Sequence, residues 1–74
     1  MKSVLEQSEK KQRTIIGQYE VVRKSGHANM YDIKAVSKIA ELYGFKALVS
    51  MTKDSKDYST ILQNYSVLME KFKL

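Results

Sequence analysis

The 74-residue chain has no cysteine, no proline and no tryptophan, and it has only three glycines. Without cysteine there is no disulfide framework, no Cys-type zinc site and no thiol nucleophile. The single histidine, His27, cannot build a His-rich metal site by itself, so no metal and no cofactor is expected. No apolar run approaches the ~18 residues of a membrane span, and no signal-peptide apolar stretch follows Met1. A protein of the cytoplasm with no membrane partner is therefore expected. The Gly-rich phosphate loop, H-E-x-x-H and G-x-S-x-G are all missing, which argues against an enzyme. A domain this short buries only roughly 60% of its unfolded surface, so it leans on well-packed helices or on self-association.

What is present points to helices. The first segment runs from about Ser3 to Lys24. Ser3 and Glu6 have capping-box spacing. Residues Glu6 to Arg13 are almost all polar, whereas Ile15, Ile16, Tyr19 and Val22 share one face. Residues 1–14 thus read as a polar helical arm, and residues 15–74 as the packed core of one domain. Gly17 inside this pattern costs about 1 kcal/mol against alanine and suggests a bend or close packing. Arg23 and Lys24 suit the negative end of the helix dipole, and Gly26 suits the left-handed stop.

The second helix is expected to start at Asn29 as cap, with Asp32 in its first turn. Its apolar stripe is Met30, Ile33, Val36, Ile39, Ala40 and Tyr43. Gly44 ends it, with Phe45 folding back on Ile39 or Ala40. Phe45 to about Lys53 fits two helical turns or a short buried strand. Helix is preferred, because no other segment offers a strand partner. From Ser55 to Lys71 the apolar residues Tyr58, Ile61, Leu62, Tyr65, Leu68, Met69 and Phe72 step by three and four, a clear helical stripe. Asp54 and Asp57 sit at its start, where carboxylates cap and offset the dipole. The spacing predicts an all-α fold, a small bundle of three to four helices. The amphipathic last helix could pair with its own copy, and such a homodimer would enlarge the core.

The balance of 13 Lys and Arg against 8 Asp and Glu gives a net charge of +5. Residues 1–38 hold eight basic and four acidic side chains, and residues 39–74 hold five and four. A basic half could follow a phosphate backbone, and two short helices around a Gly-containing turn suggest a helix-turn-helix. Against nucleic acid, only two of the basic residues are Arg, the better reader of base edges. Glu6, Glu9 and Glu20 also interleave with the basic residues, as on an ordinary solvated face. Protein binding has broader support. Five tyrosines and four methionines are a high load of residue types favoured at adaptable interfaces. Tyr19, Tyr43, Tyr58 and Tyr65 fall on core stripes. Tyr31 points away from its stripe and is the aromatic best assigned to a partner.

The stretch from Val22 to about Leu62 also carries a resemblance. It reads Arg23-Lys24-Ser25-Gly26-His27-Ala28-Asn29-Met30-Tyr31-Asp32, then Val36-Ser37-Lys38-Ile39-Ala40, then Gly44-Phe45-Lys46-Ala47-Leu48-Val49, and later Tyr58 with Ile61 and Leu62. This resembles a family of small uncharacterised bacteriophage and prophage proteins, catalogued as a domain of unknown function, with an R-x-x-G-x-x-N-M-[FY]-D stretch. The resemblance implies a phage origin and a protein made to bind and disable one bacterial target by steric blockade. Its net positive charge argues against DNA mimicry. The expected function is therefore a non-enzymatic binding protein acting on a host macromolecule, with a helix-turn-helix DNA regulator as the alternative. The expected partner surface is Arg23, His27, Asn29 and Tyr31, with Lys34 and Lys38 on the outward side of the second helix.

Overall fold

Polar side chains decide where the helices begin. In the computed structural model, which describes residues 4–73, Ser8 caps the first helix, α1 (Glu9–Ser25), by accepting from the Lys11 N–H at 3.3 Å. Asp32 caps α2 (Ile33–Leu42) through the Ala35 N–H at 3.2 Å. Asp54 caps α4 (Ser55–Phe72) through the Lys56 N–H at 2.8 Å. The short α3 (Lys46–Thr52) follows Phe45, which has no capping side chain. Its free N-terminal groups are met from a distance, because Gln18 Oε1 on α1 accepts from the Leu48 N–H at 3.0 Å.

Two starts differ from the sequence reading. The helix expected from Ser3 begins instead at Glu9, after a single 3-10 helix at Val4–Glu6. Ser3 itself lies outside the described residues. The described part of the polar arm is docked rather than projecting. Val4 is fully buried, and the Gln12 side chain donates to the Val4 carbonyl at 3.0 Å. Lys71 on α4 donates to the other end of the same amide at 3.2 Å. The second correction concerns Asn29. It closes a turn, accepting from the Tyr31 N–H at 2.9 Å, while Asp32 takes the cap. Both residues are good caps, and a distant contact decides between them. Tyr58 Oη donates to the Met30 carbonyl at 2.6 Å, which holds Met30 inside the turn and outside the helix.

Helix ends follow the glycines. Gly26 has φ 71° and Gly44 has φ 73°, the left-handed region that a Cβ disfavours. After α2 the Phe45 N–H donates to the Ala40 carbonyl and the Gly44 N–H to the Glu41 carbonyl, the paired bonds of a Schellman ending. The segment at Phe45 is helix, as preferred, and no strand occurs among the described residues. Gly17 shows no close packing, since an added Cβ would meet nothing within 4 Å.

The stripes of α1, α3 and α4 meet around Ile16, Leu48 and Ile61, with Val36 and Ala40 supplied by α2. Each such buried Ile, Leu or Val side chain stabilises the fold by about 1.5–3 kcal/mol in area terms. The result is an all-α bundle of 26 × 25 × 21 Å. No helix among the described residues is long and apolar enough to cross a membrane. On the outward side of α4 one large apolar residue, Val67, is exposed.

Candidate functional site

The six residues expected to form a partner surface fall into three settings. Arg23 belongs to a polar cluster that ties α1 to α4. Its Nε and Nη2 donate to the two oxygens of Glu20 at 3.1 and 2.6 Å. Tyr65 Oη on α4 donates to Glu20 Oε2. The guanidinium also stands 5.7 Å from the centre of the Tyr65 ring, and Lys24 approaches Glu20 at 3.8 Å. Tyr65 in turn packs against Tyr19, with ring centres 5.2 Å apart, and Tyr19 against Tyr58 at 6.2 Å. Arg23 thus braces the Glu20 carboxylate that joins α1 to Tyr65, and its Nε and Nη2 are already engaged there.

Electrostatics follow from this arrangement. The Arg23 hydrogen bonds hold the Glu20 carboxyl below its ordinary value of 4.5, against the opposing effect of burial. Glu20 raises the Arg23 value in return. Burial pushes the Tyr19 hydroxyl up to about 12, with Tyr65 and Tyr31 adding to the shift. Tyr58 and Tyr65 move the same way, again chiefly through burial.

The second setting is the α1–α2 corner. His27 and Asn29 are exposed, and Tyr31 is 84% exposed. The corner backbone is nonetheless tightly held. The His27 N–H donates to Ser25 Oγ, the Asn29 side chain holds Tyr31, and the Asp32 N–H donates to the Asn29 carbonyl at 2.8 Å. With Tyr58 anchoring Met30 from below, the Tyr31 ring is displayed from a pinned turn.

The third setting is a trough between α2 and α3. Lys34 and Lys38, four apart, line a hollow of 380 Å³ together with Ile33 and Lys53. It adjoins a hollow of 310 Å³ lined by Phe45, Lys46 and Ser50, and the two share Glu41, Val49 and Lys53. So Lys34 and Lys38 are brought together, but with α3 rather than with Arg23.

Two features of these settings escaped the sequence reading. Glu20 was expected on a solvated face, yet it is 7% exposed. Its place four after Ile16, itself four after Gln12, puts it on the inward row, and that spacing could have revealed it. Lys46 and Lys53 join the trough only because the Schellman ending folds α3 back on α2, a geometry that no single segment encodes. Tyr43, whose stripe position reads as core or core edge, lies at the edge, 40% exposed and edge-on to Phe45 at 5.4 Å. Asp57, on the first turn of α4, is buried with its Oδ2 unpartnered among the described residues. Among those residues no three His, Cys, Asp or Glu side chains are grouped to hold a metal ion.

No curated protein and no solved structure matches the chain. A family profile described as a domain of unknown function (DUF5049) matches residues 11–62. That span takes in the Glu20 cluster's α1 half, the whole corner and the whole trough. It covers more than half of the sequence, and the chain belongs to this family of uncharacterised domains.

Proposed function

We propose that this chain is a non-enzymatic binding module of phage origin, which grips one bacterial protein with its α1–α2 corner and the outward side of α2 and blocks it sterically. The phage source rests on the sequence resemblance described above. The binding reading rests on one observation above others: the 84% exposed Tyr31 ring on a turn pinned by three hydrogen bonds. An aromatic carried on a pinned backbone loses little backbone freedom on binding and gains a large apolar contact. Loops fixed by helices are common recognition sites.

Nucleic acid is the weaker reading. The three residues Tyr43 to Phe45 join α2 and α3 much as in a helix-turn-helix, which favours it. Yet only Lys46 of the seven residues in α3 is exposed, leaving a poor probe for a DNA groove.

A pull-down from nuclease-treated bacterial lysate, read by mass spectrometry, tests the proposal. Tyr31→Ala should weaken capture of the partner by about tenfold or more, as for an interface hot spot of about 2 kcal/mol, with helicity unchanged. Arg23→Ala is a poor probe, because it also strips Glu20, the acceptor of the α1–α4 bond from Tyr65, of its guanidinium partner. Equal capture by wild type and Tyr31→Ala would exclude the corner as the site. Binding to random duplex DNA that falls steeply with salt would favour the regulator instead.

A further inference from the structure

We propose that the α2–α3 trough is a receptor for an acidic amphipathic segment of the partner protein, a proposal that rests on the binding reading above and names the chemistry recognised. Four lysines, Lys34, Lys38, Lys46 and Lys53, rim the two joined hollows, and Glu41 is the one carboxylate lining them. None of these lysines has an ion pair among the described residues. The floor is apolar, with Phe45 and Val49 half-buried beneath the rim. A site of lysines around an apolar floor matches an occupant with carboxylates beside apolar anchors. Helices laid into grooves present such anchors at three- and four-residue spacing. The hollows of 310 and 380 Å³ have the scale of side-chain-sized ligand sites.

The surrounding charges sharpen the match. Asp32 caps α2, Asp54 caps α4 and Glu20 is held by Arg23, and none of the three pairs with a trough lysine. The trough faces its occupant with lysines the fold does not use. A phosphate backbone would meet the same lysines but has no apolar groups for Phe45 and Val49. The floor therefore favours a protein segment. Charge complementarity of this kind raises the association rate and suppresses wrong partners.

The test is a selection from a random-peptide display library on the immobilised full chain, followed by calorimetry and backbone-amide NMR with the selected peptide. Selected peptides should carry carboxylates flanking apolar residues three or four apart, and should shift amides of residues 33–53. Lys34→Glu with Lys38→Glu should weaken binding by about tenfold or more. Lys34 sits in the first turn of α2, where a carboxylate suits the dipole, and Lys38 is exposed at mid-helix, so the fold is kept. Glu41→Lys should strengthen binding several-fold. Neutral or basic selected peptides, no selected peptides, shifts elsewhere, or affinities unmoved by these variants would each overturn the proposal. Duplex DNA shifting the same amides with equal affinity would transfer the trough to nucleic acid. Loss of the trough with Tyr31-dependent lysate capture intact removes this inference alone. A Tyr31-independent capture with peptides still seated in the trough removes the corner reading alone.

Discussion

The α1–α4 side and the α2–α3 side use the same residue types for opposite ends. On the first, Glu20, Arg23 and Tyr65 satisfy one another, Gln12 pairs with the Val4 carbonyl and Lys71, and the tyrosines pack ring on ring. On the second, lysines line a trough with no ion-pair partner, and Tyr31 stands in water above the corner. Polar groups of one side are committed to holding the bundle closed. Those of the other remain available to a second molecule. Composition alone cannot separate these uses; partner geometry does.

Substitutions can break or sharpen that contrast. Ile61→Ala, on the α4 core face, should have the largest effect, a loss of about 2–5 kcal/mol in chemical denaturation, since Ile61 is fully buried. Glu20→Ala should cost about 1–3 kcal/mol, because it leaves the Tyr65 hydroxyl without its acceptor and Arg23 without its partner. Gly17→Ala should stabilise by about 0.4–1 kcal/mol, because the position is helical and a Cβ meets nothing there. Lys38→Ala, on the trough rim, should change stability by less than about 0.5 kcal/mol. If Lys38→Ala proved as damaging as Glu20→Ala, the division between the two sides would be wrong.

Titration should show the same asymmetry. Glu20 has a depressed value when folded, so its stabilisation is complete above 4.5 and is lost as pH falls through the folded value. Tyr19 is raised from 10 to about 12, so its contribution is intact below 10 and is lost as pH rises toward 12. Thermal melts across pH should therefore fall at both extremes, and Glu20→Gln should flatten the acid limb most, with a smaller change in the alkaline limb because Glu20 also helps to raise Tyr65 and Tyr19.

The helices themselves were readable from local pattern. The α4 stripe and the Gly44 stop were explicit because period and φ preference act within a few residues. What stayed hidden depends on contacts distant in sequence. Asn29 lost the α2 cap because Tyr58, 28 positions away, holds Met30. The start of α3 is satisfied by Gln18, 30 positions away. The docking of Val4 depends on Gln12 and, through it, on Lys71. Of the expected surface, Tyr31 was legible from its place off the stripe, whereas the internal role of Arg23 required knowing that Tyr65 comes alongside.

The bracket formed by Gln12 has a practical corollary for tethered measurements. It gathers Val4, the start of α1 and the last turn of α4 at one pole, where Lys71 also meets Glu9 at 3.7 Å. The corner bearing Tyr31 lies at the opposite end of α1, a 17-residue rod of roughly 25 Å by its helical rise. A dye or a surface linkage attached at Glu9 or elsewhere on this pole would stand about the length of α1 away and leave the corner unobstructed.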